Sequence, residues 1–175
     1  FHTRLRLGRF RPHHGFVFGS ATSLFALVTL GGPVPLPSAL NLLQAGFLLG
    51  SVLALWNWLY DWMAIQAGYI TVYNRPYADG KAPEAVAAEY AIVLFGVFGF
   101  CYGIAIRAAQ VLANGSPAWS TVALGTLLCA AATIALSVLA YMASSYMRYG
   151  DFGLRAYVPD TNTPHAENAH KESTQ

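Results

Sequence analysis

Residues 39–60 read ALNLLQAGFLLGSVLALWNWLY and contain no Asp, Glu, Lys or Arg. A helix of about 20 apolar residues spans the hydrocarbon core of a bilayer, which is roughly 30 Å thick. A helix on the core of a soluble protein keeps charged residues on its outer face. This stretch therefore predicts a membrane-spanning helix, and it decides how the rest of the chain is interpreted.

Sequence without Asp, Glu, Lys or Arg extends well beyond this stretch, over residues 12–60, 90–106 and 108–147. These four residue types make up 10% of the chain, against about 25% of an average soluble domain. The net charge is only +2 and the basic residues are not gathered in one run, which argues against a nucleic-acid partner. The composition predicts an all-α membrane protein.

Helix breakers divide the apolar sequence into four predicted transmembrane helices. The GGPVPLP run at residues 31–37 cannot continue a helix, because proline lacks an amide donor and clashes with the preceding turn. Ser38 has a side chain that favours the N-cap of the next helix. The NGSP run at residues 114–117 has the composition of a turn. The predicted spans are residues 15–30, 39–63, 85–112 and 119–146.

The basic residues predict how these helices are oriented. Four Arg residues precede the first span, Arg75 and Lys81 lie in the connection 66–83, and Arg148 and Arg155 follow the last span. The two other connections carry no charge. Basic segments favour the cytoplasmic or matrix side of a membrane. An even number of spans places all three segments on that side, so we expect both termini there.

The same segmentation predicts three parts of the chain: a basic N-terminal segment (1–14), a four-helix membrane bundle (15–147) and a polar C-terminal tail (148–175). The N-terminal segment is rich in Arg and has no acidic residue up to the first span. That composition is typical of a mitochondrial targeting sequence and equally of the positive flank of a first helix. We favour the flank.

Residues that carry redox or hydrolytic chemistry are missing from the predicted spans. A haem held between helices needs two His at membrane depth. All five His lie outside the spans: His2, His13, His14, His165 and His170. Cys101 and Cys129 lack the spacing of a zinc site, and phosphate loops, nucleophile elbows and HExxH motifs are absent. We predict no catalytic residue, no metal ligand and no cofactor of its own, apart from bound phospholipid.

An aromatic cluster closes the second span at its basic end. It consists of Trp56, Trp58 and Trp62, with Asp61 among them. Indole rings favour the interface between hydrocarbon and headgroups. We therefore expect these residues to contact lipid at the membrane surface.

Two interpretations remain for the ionisable residues near the spans. A carboxylate of Asp61 or Glu89 at membrane depth could relay protons or hold a counter-ion. Alternatively, both acids pair with Arg75 or Lys81 of the basic connection, and Arg107 extends its side chain to the outer headgroups. We favour this second, structural interpretation, in which Asp61 and Arg107 are interface residues.

Small residues recur at a spacing of four, which places both members of a pair on one helix face. Such faces let helix backbones approach closely. They predict packing within the bundle or against another subunit, and the sequence does not distinguish the two. The pairs are Gly15 and Gly19, Gly46 and Gly50, Gly99 and Gly103, and Ala131 and Ala135.

Three short motifs in the middle of the chain resemble a known family. They are WLYD at 58–61, APEAV at 82–86 and YAIVLF at 90–95. They are similar to the first half of subunit III of cytochrome c oxidase, in which the second helix ends Trp-Trp-Arg-Asp, the loop contains Thr-Pro-Ala-Val and the third helix begins Arg-Tyr-Gly-Met-Ile-Leu-Phe. The resemblance covers roughly residues 12–117. The family carries a Glu in its third helix where this chain has Gly99, and it has loop histidines and seven helices that this chain lacks.

The resemblance implies a shortened or split, diverged subunit with no redox centre. Its role would be structural and lipid-binding beside a catalytic subunit, in a respiratory complex with other membrane subunits and phospholipids. We expect the mitochondrial inner membrane rather than a bacterial plasma membrane. Two other classes stay open: a small transporter or channel, and a membrane-embedded enzyme acting on lipids or quinones through Tyr90, Tyr102 or Tyr141.

Overall fold

A computed structural model of the chain describes residues 12–32, 38–113 and 118–157. All regular structure in these ranges is helical. The helices are α1 (Pro12–Leu30), α2 (Ala39–Gln66), α3 (Arg75–Ala78), α4 (Pro83–Ala113) and α5 (Trp119–Tyr149). The predicted turn at 114–117, the three prolines, and most of the N-terminal segment and the tail lie outside the described residues.

Three of the helices, α2, α4 and α5, are long and apolar enough to cross a membrane. The apolar part of α1, Phe18–Leu30, is shorter. The prediction of an all-helical protein is confirmed for the described residues, and the three long helices are compatible with a membrane bundle. The chain has the length and composition of an integral membrane protein.

Local chemistry explains where the long helices begin and end. As predicted, Ser38 caps α2, with its Oγ accepting a hydrogen bond of 3.2 Å from the Asn41 amide. The fourth helix begins at Pro83, which suits a first helical turn because that position needs no amide donor. The fifth continues to Tyr149 and stops at Gly150, whose φ of 68° is left-handed and favours glycine. Each of these long helices is three residues longer than predicted, which is less than one turn.

The fourth helix lies in the middle of the fold. It packs antiparallel against α2 on one side and against α5 on another, while α1 packs mainly on α2. Within the described ranges, α2 and α5 do not pack against each other. The apolar core is formed by α1 and α2, and its members are Ala26, Leu30, Ala45, Leu49 and Leu53.

Glycines produce the closest contact in the molecule, between α2 and α4. A Cβ on Gly50 would lie 2.8 Å from the carbonyl oxygen of Gly96, and a Cβ on Gly103 would lie 2.5 Å from that of Ala45. Side-chain carbons do not approach backbone this closely, so any larger residue would push the helices apart. Gly46 and Gly99 are equally confined. A Cβ on Gly46 would lie 2.9 Å from the carbonyl oxygen of Phe100, and a Cβ on Gly99 would lie 2.7 Å from that of Leu49.

The other small-residue pairs have different surroundings. A Cβ on Gly19 would meet nothing within 4 Å, and the surroundings of Gly15 lie outside the described residues. Ala131 and Ala135 are exposed. The buried residues of α5 are hydroxyl-bearing ones instead: Thr133, Ser137 and Ser145. The Ser137 hydroxyl donates to the Thr133 carbonyl at 2.6 Å, so it can be buried without an outside partner.

Candidate functional site

Polar side chains from α2, α4, α5 and the 67–82 connection are buried together at the end of the helices that carries the basic residues. Asp61, Asn74 and Glu89 are 9%, 7% and 4% exposed. Buried polar groups need partners, because burial removes their hydrogen bonds to water. We call this group, with Tyr90 and Tyr141, the polar cluster.

The first part of the polar cluster joins α2 to α4. The Tyr90 hydroxyl donates to Asp61 Oδ2 at 2.6 Å, across 29 positions of sequence. A hydroxyl-to-carboxylate bond of this length is among the stronger ones in proteins. The predicted pairing of Asp61 with Arg75 or Lys81 is wrong, because Asp61 faces α4 and is bonded by a tyrosine of that helix.

The second part of the polar cluster joins α4 to the connection and to α5. Glu89 Oε2 accepts hydrogen bonds from Asn74 Nδ2 and from the Tyr141 hydroxyl, both at 3.3 Å. The same Asn74 nitrogen donates to the Val86 carbonyl at 2.8 Å, and its Oδ1 caps α3 by accepting from the Tyr77 amide at 3.1 Å. The predicted pairing of Glu89 with a basic residue is also wrong, since neutral donors hold this carboxylate.

The basic residues of this end interact with backbone and aromatic groups instead. Arg148 Nη2 donates to the backbone carbonyl of Glu89 at 3.0 Å and to Ser144 Oγ at 2.6 Å. The Tyr149 ring lies between two guanidinium groups, with Arg75 Cζ 5.3 Å and Arg148 Cζ 5.9 Å from its centroid. These distances are within the range of cation–π attraction.

Residues 150–157 cover the polar cluster after α5 ends. Gly153 has a φ of 68°, and a Cβ there would lie 2.7 Å from both the Tyr141 hydroxyl and Ser145 Oγ, so the position requires glycine. Asp151 Oδ1 accepts from the Gly153 amide at 2.7 Å. The Tyr157 amide donates to the carbonyl of Tyr73 at 2.9 Å, which ties this segment to the connection before α3.

The three tryptophans lie beside the polar cluster but outside it. The ring of Trp56, which is 48% exposed, contacts Phe25 of α1 at a centroid distance of 5.0 Å. Trp58 and Trp62 stack on each other at 5.8 Å. Trp58 Nε1 donates to the Glu84 carbonyl at 3.2 Å, which fixes this ring over the first turn of α4.

Arg107 lies far from the polar cluster, near the other end of α4. Its Nη1 donates to Gln110 Oε1 at 3.0 Å. Its Nε is buried and has no hydrogen-bond partner in the part of the chain that the structure describes. The structure therefore places two of the predicted interface residues, Asp61 and Arg107, in separate environments at opposite ends of the helices.

The arrangement at the basic end can hold the helices together, because its hydrogen bonds join α2, α4, α5 and the connection between α2 and α4. Both carboxylates accept from tyrosine hydroxyls, and within the described residues no three His, Cys, Asp or Glu side chains are grouped to hold a metal. Sequence reasoning missed Asn74, Arg148 and Gly153. The order Asn74, Arg75, Pro76 is a helix start signal that could have identified α3 and its cap.

Comparison with known proteins returns nothing: no family model, no curated protein and no solved structure matches this chain. The function must therefore be argued from the residues and the geometry of the chain itself.

Proposed function

We propose that this chain is a non-redox integral membrane subunit of a respiratory complex similar to cytochrome c oxidase, with a structural and lipid-binding role beside the catalytic subunit. The observation that carries the proposal is the hydrogen bond between Tyr90 and Asp61. It joins the last residue of the WLYD motif to the first of the YAIVLF motif. The two motifs that carry the resemblance therefore meet at a buried polar contact between α2 and α4.

In this proposal α1, α2, α4 and α5 all cross the membrane, and both termini and the 66–83 connection lie on the matrix side. The hydrogen bond from the Tyr157 amide to the Tyr73 carbonyl supports this sidedness, because it ties the segment after α5 to the connection after α2. The basic residues of the two segments agree.

The exposure of α5 supports a role within a larger assembly. Every residue from 119 to 132 is exposed, although this helix has the highest mean hydropathy of the three long helices, 2.3. This half of α5 is covered by lipid or by another subunit, since water is a poor solvent for it.

Purification from the native membrane tests the proposal. The full chain, tagged at its C-terminus and extracted in mild detergent, should co-purify with other membrane subunits in a complex of fixed mass that contains haem. Native mass spectrometry and an absorption spectrum measure both properties. A folded chain that purifies alone would contradict the proposal.

Labelling from each side of sealed membranes tests the topology. In a background with Cys101 and Cys129 replaced by Ala, single substitutions Gly32→Cys and Gly115→Cys should react from the outer side, and Arg75→Cys from the inner side. Reaction of all three from one side would contradict the four-helix topology.

A proton-coupled transporter is the second candidate, and one observation favours it. Asp61 and Glu89 are both buried and both bonded by neutral donors, as in sites that load and release protons. Purified chain in sealed vesicles would then move solute under an imposed pH gradient, and Asp61→Asn would stop it. If the chain is instead a subunit of a complex, Asp61→Asn should weaken assembly of the complex more than it lowers turnover per assembled complex.

A further inference from the structure

Among the residues that the structure describes, Arg107 has no acidic partner at its end of the bundle. No Asp or Glu occurs from residue 12 to 60 or from 90 to 150, which includes both outer connections. The nearest acid along α4 is Glu89, which lies about 27 Å away at the helical rise of 1.5 Å per residue. Asp61 is bonded to Tyr90 at the same far end. Within the described residues there is therefore no counter-ion for Arg107 at its end of the bundle.

The hydrogen bonds of the Arg107 guanidinium also indicate a missing partner. Gln110 accepts from Nη1, whereas Nε is buried and without a partner in the described residues. A guanidinium carries five N–H donors. A cation within a membrane-spanning helix is costly unless it is paired or reaches the headgroups.

The position of Arg107 indicates which molecule supplies the counter-ion. The helix ends at Ala113, about 9 Å further along its axis. A long Arg side chain can extend along the helix in the direction of the headgroups. The guanidinium can bind a phosphate through its Nη groups, whereas its buried Nε is out of reach of a lipid.

We propose that Arg107 binds the phosphate of a phospholipid in the outer leaflet, with Gln110 orienting the guanidinium. The proposal rests on the previous section in two respects: that α4 crosses a bilayer, and that its Glu89 end lies on the inner side. A carboxylate from a neighbouring subunit is a different partner. The phosphate is favoured because every bilayer presents it at this depth.

The test measures lipid binding by the full chain in detergent micelles, titrated with phosphatidylglycerol and observed by native mass spectrometry. Arg107→Gln should weaken the tightest lipid site at least about tenfold, as expected for loss of charged hydrogen bonds. Arg107→Lys should fall between Gln and Arg, because it keeps the charge and loses the planar group. Arg155→Gln removes an exposed positive charge at the other end and should bind as wild type.

Two results would overturn the proposal. One is equal lipid binding by wild type and Arg107→Gln, with both variants folded as judged by their helical circular dichroism. The other is an Arg107→Gln complex that keeps its lipid and loses a partner subunit, which would identify a carboxylate of that subunit as the counter-ion. A chain that binds lipid at Arg107 but purifies without partners would contradict the subunit role and leave this site standing.

Discussion

The fourth helix meets its two neighbours by different means. Against α2 it uses glycines, so that the backbones themselves are in contact at Gly50 and Gly103. Against α5 it uses polar side chains, chiefly the hydrogen bond of Tyr141 to Glu89 and that of Arg148 to the Glu89 carbonyl. Dispersion attraction between two backbones requires that the helix surfaces fit closely, so an added side-chain atom disrupts it. Hydrogen bonds need partners, and they concentrate the α4–α5 contact near one end.

The largest effect should follow from breaking the glycine contact. We expect Gly50→Leu to destabilise the fold by about 3 kcal/mol or more, because even a Cβ would lie 2.8 Å from the Gly96 oxygen. Unfolding of the purified chain in a detergent titration measures this. The matched control is Gly125→Leu on α5, where a Cβ meets nothing within 4 Å. Equal stability of the two variants would show that the close contact is unimportant.

The next effect concerns the short hydrogen bond that joins α2 to α4 in the polar cluster. Tyr90→Phe removes the hydroxyl that bonds Asp61 at 2.6 Å and leaves the buried carboxylate unsatisfied. We expect a loss of about 1.5 to 3 kcal/mol, as for hydrogen bonds to charged groups. The double variant Tyr90→Phe with Asp61→Asn should recover part of this loss, because the uncompensated charge is then removed. No recovery would mean that Asp61 has another partner.

A smaller effect is expected where the C-terminal segment covers the polar cluster. Gly153→Ala should cost about 1 to 3 kcal/mol from its left-handed backbone alone, and further from contact with the Tyr141 hydroxyl and Ser145. Gly150→Ala is the control, since its φ is the same 68° and its surroundings are open. Faster proteolysis after residue 150 in the Gly153 variant than in the control measures the difference. Identical proteolysis rates would indicate that residues 150–157 do not cover the polar cluster.

The smallest effect should come from the longest hydrogen bond at the α4–α5 contact. Tyr141→Phe removes a bond of 3.3 Å to Glu89, while Asn74 continues to donate to the same oxygen. We expect a loss of about 0.5 to 1.5 kcal/mol, measured by the same detergent titration. A loss as large as that of Gly50→Leu would show that α5 depends on this end of α4 for most of its stability.

Much of the fold could be predicted because it depends on local properties. Charge-free runs identify the helices, and Ser38 identifies the start of α2 through its own side chain. The partner of Asp61 could not be predicted, because it depends on the rotation of α2 relative to α4 and not on sequence distance. The packed face of α5 was also missed: this helix is apolar on all sides, so its pattern does not distinguish the Ala131 face from the Thr133 face.

The absence of α2–α5 packing in the described ranges bears on how the chain is made. Synthesis proceeds from the N-terminus, so α2 and α4 are both complete before α5 leaves the ribosome. Their glycine contact needs nothing from α5, and the pair can insert and close as a helical hairpin. The fifth helix then enters a membrane that already contains α4, the helix against which it packs in the described residues. A nascent chain truncated after Ala113 should therefore already resist alkaline extraction from the membrane.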